Sequence, residues 1–369
     1  MEKQIILGAG ITGLSAGVKT GYPIYEAGLR PGGICRSYYR DGYRFENGGG
    51  HWIFGPAEIQ NWIGRYVTLN HFDRKAAVYF NQFIDYPIQK YFSIQEPATQ
   101  GSIKHWLRGQ FGQNLCRLFF YPFNDKYTVG LYGRVIQDNP EKCPKPDDPG
   151  YNESFTYPVE GLDVLVDRMA NDLDIRYQKR AVKLDIDKKV IAFQDGEAVE
   201  YDRLISTIPL KSLMQLAGID TPDLLSTSVL VLNIGAERGY DCPDKQWLYI
   251  PDEQCEFFRV GFYSNVDPAF APSGKASIYV ERSFTGLIGT SYYADSVVAK
   301  LRKWGWIGEV DVIGLSYVDC AYTWMTKESA RAEALEFLKG KGIESIGRYG
   351  KWKFQGIAQS IKDGMGQEA

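Results

Sequence analysis

Ile5-Ile6-Leu7-Gly8-Ala9-Gly10-Ile11-Thr12-Gly13 opens the chain with an apolar strand, a glycine turn and the start of a helix, and Glu26 follows a short helix and a short strand later. That order is the fingerprint of a strand-turn-helix unit that holds a dinucleotide. Gly8 permits the tight turn, Gly10 lets a pyrophosphate approach the backbone, and Gly13 lets the helix pack close on the strand. The helix N-terminus, entered at Ile11 and Thr12, presents free N–H groups and a positive dipole end to phosphates. Glu26 is placed to accept hydrogen bonds from ribose hydroxyls. Gly21-Tyr22-Pro23 replaces the last helical turn and the loop of an ordinary unit of about thirty residues, so the first helix should be short.

The next turn favours FAD over NAD. Ala27-Gly28-Leu29-Arg30-Pro31-Gly32-Gly33-Ile34-Cys35-Arg36-Ser37 is a second glycine turn carrying two arginines. It looks like the extension that follows the ribose-binding acid in many flavoproteins.

At 369 residues the chain exceeds one average domain, and 44% hydrophobic content is ample for a shared core. The net charge of -3 and pI near 5.8 argue against nucleic-acid partners or an anionic membrane surface. No basic and apolar leader opens the chain, and no apolar run reaches the roughly 18 residues that span a bilayer. A soluble, cytoplasmic protein is the expectation. Cys35, Cys116, Cys143, Cys242, Cys255 and Cys320 form no CxxC pair and read as free thiols. His51, His71 and His105 lack ligand spacing, so no metal site is expected. With so little acid-base and nucleophilic machinery, a cofactor is expected to carry the chemistry. The 25 Tyr, 19 Phe and 8 Trp serve core packing, and they also suit sugars and nucleobases, which need a flat apolar face with a polar tip.

Periodicity divides the chain further. Helical patterns cover residues 57–66 and 103–120, with a hairpin between them at residues 77–80 and 83–87. Residues 138–150, with four prolines, read as a linker or mobile loop. Leu162, Leu165, Val166 and Met169 recur at helical spacing, followed by strand-like segments as far as the proline turn at Pro209. Strands near residues 228–236, 246–250, 256–263, 276–284 and 309–317 and helices at 293–303 and 327–340 follow. A short strand from Ile343 and a glycine turn bearing Arg348 come last. The expected fold is α/β. Residues 1–56, 156–212 and 343–369 form a discontinuous Rossmann-like FAD-binding domain. Residues 57–155 are a helical and mobile-loop insertion, and residues 213–342 a second, mainly antiparallel β substrate domain.

Five blocks in order carry a family resemblance: Gly49-Gly50-His51-Trp52-Ile53-Phe54, Asp244-Lys245-Gln246-Trp247-Leu248-Tyr249-Ile250-Pro251, Phe257-Phe258-Arg259, Tyr263-Ser264-Asn265, and Gly347-Arg348-Tyr349-Gly350-Lys351-Trp352-Lys353-Phe354. On these the chain resembles the UDP-galactopyranose mutases, more their eukaryotic branch, within the amine oxidase and protoporphyrinogen oxidase superfamily. The resemblance implies a redox-neutral reaction of reduced FAD, whose N5 attacks the anomeric carbon of a nucleotide sugar so that pyranose and furanose forms interconvert. It implies a nucleotide-sugar substrate and NAD(P)H or another reductant, and it allows a homo-oligomer. Such chemistry needs cations and hydroxyls on the leaving group rather than a strong base.

By position, the resemblance puts His51 beside the flavin, Arg259 on the substrate diphosphate and Tyr322 on a phosphate, as the catalytic set. It adds Ala27, Gly32, Gly33, Gly50, Val182, Arg348, Gln359 and Ser360 to the cofactor residues Gly8, Gly10, Ile11, Thr12, Gly13 and Glu26. It assigns Tyr79, Trp247, Tyr249, Asn265 and Phe354, with Arg259 and Tyr322, to the substrate. Two departures stand out. Glu153-Ser154-Phe155-Thr156-Tyr157-Pro158 has no arginine where the family has its second diphosphate arginine, and Phe354 replaces a tyrosine. The lost contacts are worth roughly 1.5–3 kcal/mol for the charged one and about 1 for the neutral one. They point away from UDP-galactopyranose itself, toward a related activated sugar. An FAD-dependent oxidase or desaturase of the amine oxidase type, and a flavin-binding protein that has lost catalysis, are the alternatives.

Overall fold

The computed structural model describes residues 3–91, 101–138 and 153–366. Most of the proline-rich stretch read as a linker, residues 139–150 with Cys143, lies outside them.

A five-stranded parallel sheet runs in the order Ile343–Ser345, Arg203–Ser206, Gln4–Leu7, Ile24–Tyr25 and Ile175–Arg176. Its central strand is buried from Ile5 to Leu7, as a parallel strand covered on both faces must be. The first helix, Ile11–Thr20, ends at Gly21, whose φ of 70° and N–H bond to the Gly17 carbonyl make a left-handed stop. That glycine is what keeps the helix short. A small antiparallel sheet of Ala181–Asp185, Val190–Phe193 and Ala198–Glu200 sits beside it.

The second large sheet has seven strands, in the order Ile307–Met325, Leu224–Arg238, Lys275–Phe284, Arg259–Phe262, Trp247–Tyr249, Ala76–Tyr79 and Phe83–Asp85. All its pairings are antiparallel except Trp247–Tyr249 with Ala76–Tyr79. The hairpin assigned to a helical insertion is thus the continuation of this sheet. Residues 69–73 and 154–158, not read as strands that pair, form an antiparallel ribbon from Leu69–Asp73 and Ser154–Pro158. Strand Ile307–Met325 runs eight residues past the expected end at Tyr317, bending through register shifts against Leu224–Arg238. Bulges let so long a pair coil, and this extension carries Tyr322 inward.

Helix Ala57–Ile63 is shorter than its pattern, whereas the pattern at 103–120 continues: Ile103–Leu115 passes through a π-helical turn, Cys116–Phe120, into Tyr121–Thr128. Pro122, which has no N–H to donate, stands directly after the π-helical turn. Two further helices close the chain. Gly347–Gly350 is a single turn, and Ile357–Gly364, a helix that the sequence reading did not include, packs on the first helix.

The main core fills the space between the parallel sheet, the helix Leu162–Ala170 and one face of the seven-stranded sheet. Leu162, Leu165, Val166 and Met169 bury their whole face there, each worth about 1.5–3 kcal/mol of burial. The other face of the seven-stranded sheet packs under helix Ser291–Lys303 through Leu232, Val280, Val297 and Leu301.

Candidate functional site

A cleft of about 1170 Å³ runs from the C-terminal end of the parallel sheet to the inner face of the seven-stranded sheet. Its size exceeds an ordinary small-molecule pocket, which is about 300–1,000 Å³.

At the parallel-sheet end, Gly8 stands at φ 97°, and a Cβ there would meet the Thr207 hydroxyl at 2.5 Å. A Cβ on Gly13 would lie 1.9 Å from the Gly8 carbonyl, so only glycine lets the helix seat on the strand. Gly10 has open space instead: nothing lies within 4 Å of where its Cβ would be. No side chain caps the first helix, whose opening turn, with Ile11 and Thr12, lines the cleft. Free N–H groups beside a glycine that leaves room are what a phosphate needs. The second glycine turn touches the first, through the Gly32 N–H donating to the Ala9 carbonyl at 2.7 Å.

Glu26 accepts the Ala9 N–H at 2.7 Å on one oxygen and the Gly28 N–H at 2.7 Å on the other. It therefore locks both turns while lining the cleft, with lone pairs left for a ribose. Ala27, Gly33 and Val182 line the same end. The geometry fits a dinucleotide with an adenosine at this end.

Across the cleft, Arg348 lies in a turn that starts at Gly347, φ 78°. Its two terminal nitrogens donate to the carbonyls of Gln355 at 3.1 Å and Ala321 at 2.9 Å. The guanidinium lies over the rings of Phe354 at 4.5 Å and Tyr322 at 5.6 Å. Asp363 holds the turn from behind, accepting the Gly347 N–H at 3.1 Å, the Gln355 amide at 3.1 Å and Lys351 Nζ at 2.8 Å.

The far end is a chamber of aromatic and charged side chains. Strand register puts Arg259 opposite Glu281 and Gly261 opposite Tyr279. Arg259 pairs with Glu281 at 3.0 Å, and Glu281 is 3% exposed. Burial pushes the Glu281 carboxyl above its ordinary value, against the pull of Arg259. Gly261 has no Cβ because Tyr279 lies on it, 1.9 Å from where that atom would be. Tyr322 lies tilted against Tyr127 with centroids 4.3 Å apart, and burial, then Glu281, pushes its hydroxyl up to about 12. It stays protonated and can donate. His51 sits in the loop of Gly48 to Gly50, its Nδ1 3.3 Å from the Gly49 carbonyl. Burial, then Arg348, lowers its pKa to about 4, so the imidazole is neutral at neutral pH. Trp247 and Tyr249 present the ring faces of one strand, while Leu248 between them faces the other core.

Some assigned residues lie elsewhere. Tyr79 does not reach the chamber. On its strand it shares the face of Ala77, not that of Val78, and packs against Trp304 and Trp306 at 5.1 and 4.9 Å. Asn265 is a structural clasp that donates to the carbonyls of Pro243 and Lys245, both at 2.7 Å. Gln359 turns back to accept the Gly356 N–H at 2.9 Å, closing the N-terminus of the last helix, while its neighbour Ser360 lines the cleft. Gly13 supports the turn from behind. Neither arginine of the second turn lines the cleft: Arg36 pairs with Asp167 at 2.7 Å and Arg30 is exposed. Thr156 is wholly buried, its backbone bonded to Ile53 in both directions, so an arginine has no room there.

Sequence reasoning missed Arg74, Tyr127, Tyr279 and Glu281, all on the chamber wall. Tyr279 and Glu281 carried one signal, a Tyr-x-Glu alternation inside an apolar strand. Among the described residues no group of three or more His, Cys, Asp or Glu could hold a metal, and no helix is long and apolar enough to cross a membrane. Among the described residues, Cys35, Cys116, Cys242, Cys255 and Cys320 form no disulfide.

The architecture is a five-stranded parallel sheet facing a seven-stranded, mainly antiparallel sheet across one cleft. The family of flavin containing amine oxidoreductases matches residues 68–227. The particular likeness is to the crystal structure of a reduced UDP-galactopyranose mutase, with a TM-score of 0.87 at 22% identity over 99% of this chain and 94% of that one. A protein assigned as a protoporphyrinogen oxidase, from Exiguobacterium sp. 255-15, follows at a TM-score of 0.74 and 15% identity, over 99% and 97% of the two chains. A fatty acid isomerase from P. acnes that produces CLA is similar at 0.70 and 14%, over 99% and 97%. At these identities the likeness is one of fold.

Proposed function

We propose that the chain is an FAD-dependent enzyme that interconverts ring forms of a nucleotide-activated sugar, on a substrate other than UDP-galactopyranose. The observation that carries this reading is the character of the chamber. It holds arginines, protonated tyrosine hydroxyls and flat aromatic faces, and its one histidine is neutral. That is an environment for a phosphorylated sugar and its departing anion, and Glu281, the buried carboxylate on its wall, is tied to Arg259.

The residues at the parallel-sheet end would hold the cofactor: the opening turn of the first helix and Arg348 on the pyrophosphate, Glu26 on the ribose, and Val182 on the adenine. Bound there in reduced form, FAD would supply a nitrogen nucleophile, and a donor such as NAD(P)H would keep it reduced. Arg259 would stabilise negative charge on the leaving group, with Glu281 fixing its orientation. Tyr322 would donate a hydrogen bond to the same anion, while Trp247 and Tyr249 flank the sugar. His51, neutral and held by Gly49, would shape the space beside the flavin ring and exchange no proton at neutral pH.

The test is to incubate dithionite-reduced holoprotein with a panel of nucleotide pyranoses and separate the products. A new isomer of unchanged mass, formed without net oxidation of the flavin, is the expected result. No isomer from any member, together with oxygen uptake on an amine or polycyclic substrate, would replace this reading with an oxidase.

A further inference from the structure

Lys126 is a half-buried cation that does not line the cleft. It stands on helix Tyr121–Thr128 beside Tyr127, which does line the chamber. Its ammonium has three N–H groups and three acceptors: the carbonyl of Ile250, that of Asp252 at 2.9 Å and that of Phe257 at 3.0 Å. These carbonyls lie on both arms of the loop that joins strand Trp247–Tyr249 to strand Arg259–Phe262. The two strands carry Tyr249 and Arg259 opposite each other. The helix supplies the ring wall: Tyr127 lies 4.3 Å from Tyr322 and 5.3 Å from Phe258, and Phe123 lies 5.5 Å from Tyr249. One ammonium therefore joins the ring wall to the strand pair that bears Arg259.

The helix has little else to aim it. It follows the π-helical turn Cys116–Phe120, and the preceding piece, Ile103–Leu115, is itself interrupted at Gly112, with φ 70° and ψ 165°. Breaks of this kind in the hydrogen-bond ladder turn a helix, so continuity does not fix the direction of its last piece. Ring contacts tolerate several tilts. Three bonds from one charged centre leave much less freedom. Asp125 on its own helix and Asp252, Glu253 and Cys255 on the loop face Lys126, and Lys300 of helix Ser291–Lys303 pairs with Asp252 at 3.5 Å. Burial draws the Lys126 ammonium down to about 8, against the pull of Cys255, Asp252, Glu253 and Asp125. It is charged at neutral pH and gives up that charge as pH passes this value.

We propose that Lys126 is a positioning residue: by fastening helix Tyr121–Thr128 to the loop between Tyr249 and Arg259, it sets the separation of Tyr127 and Tyr322 from Arg259 across the chamber. The proposal rests on the chamber being the reacting site and not on which compound reacts there.

The test uses flavin-loaded protein labelled with fluorotryptophan and needs no turnover. Trp247 lies on the held strand and Trp324 lies 5.5 Å from Tyr127, while Trp62 sits on the distant helix Ala57–Ile63. Trp247→Phe, Trp324→Phe and Trp62→Phe assign their fluorine resonances. In Lys126→Met the Trp247 and Trp324 resonances should shift or broaden while that of Trp62 stays, a pattern that a general loss of stability does not produce. Lys126→Arg, which keeps the charge, should hold both near their wild-type positions. In wild type the two should move as pH passes about 8, and in Lys126→Arg they should not. On any nucleotide pyranose that wild type isomerises, Lys126→Met should lose roughly tenfold or more in kcat/KM, the loss expected when hydrogen bonds to a charged group go, and Lys126→Arg should regain most of it. Unmoved Trp247 and Trp324 resonances in Lys126→Met, or full turnover by that variant, overturn the proposal. Should Lys126→Met fail to fold, wild-type resonances that ignore pH around 8 overturn it instead. A pyranose panel without product, beside resonances that respond to Lys126, removes the mutase and leaves the clasp.

Discussion

Glu26 shows how one carboxylate can serve two ends. Both of its oxygens are engaged by backbone N–H groups at 2.7 Å, so it braces the two glycine turns whether or not a ribose is present. Glu26→Ala should therefore disturb the cradle as well as remove a contact. FAD affinity, measured by titrating apoprotein and following flavin fluorescence, should fall by at least tenfold, since a hydrogen bond to a charged group is worth about 1.5–3 kcal/mol. Undiminished affinity would remove Glu26 from the proposed cofactor site. Glu46 is the other informative carboxylate. It is wholly buried and accepts hydrogen bonds from Ser37, at 2.7 Å, and from Tyr157. Burial pushes its carboxyl up to about 7, against those hydrogen bonds, from 4.5. The folded chain then holds a proton that the unfolded chain releases between pH 4.5 and about 7, so this group's stabilising effect is present at low pH and is lost as pH rises through that window. Glu46→Gln cannot titrate. Between pH 5 and pH 8 the stability difference between wild type and variant should swing by roughly 2.5 kcal/mol in the variant's favour, as read by thermal unfolding at the two pH values. A constant difference would show that Glu46 does not titrate in that window.

At the scale of elements, the two turns that matter are held by pieces far away in sequence. The Gly347–Gly350 turn hangs on Asp363, which is on the last helix and 4% exposed, and that helix packs against the first. A Cβ on Gly347 would meet the Thr12 side chain at 2.4 Å, so the turn seats directly on the opening of the first helix. Asp363→Asn keeps the shape but removes the charge that faces Lys351. It should cost about 1–3 kcal/mol of stability and loosen FAD by a similar factor, measured by denaturant unfolding and by flavin retention on gel filtration. Loss of stability with full flavin affinity would show that the last helix does not position Arg348. The glycines and Arg348 were legible in the sequence because they are local punctuation. The last helix was passed over although Ile357, Ala358 and Ile361 recur at helical spacing, because it is only eight residues long and that apolar face is matched mainly by the first helix. The long strand Ile307–Met325 was cut short in the reading for a related reason. Its half-exposed edge carries polar and aromatic residues without a clean alternation, and pairing with Leu224–Arg238 extends it.

For the whole molecule, the parallel sheet draws its strands from residues 4–25, 175–206 and 343–345, so a ligand in the cleft touches segments from both ends of the chain. A dinucleotide bound there should act as a staple. With FAD at about 100 times its dissociation constant, stabilisation of about 2.7 kcal/mol is expected, seen as a raised midpoint in differential scanning fluorimetry and diminished in Glu26→Ala. A midpoint indifferent to FAD would speak against the cofactor reading. The opening strand, glycine turn and Glu26 settled the α/β nucleotide-binding fold without help, because turn geometry, close approach and strand burial are imposed by residues near one another in the chain. The chamber was decided only in three dimensions. Whether Tyr79 faces in or out depends on strand parity, the opposition of Arg259 and Glu281 depends on register, and the approach of Arg74 depends on a ribbon whose strands are eighty residues apart. Side-chain direction and charge pairing across a sheet are set by pairing partners, and those partners exist only once the chain has folded.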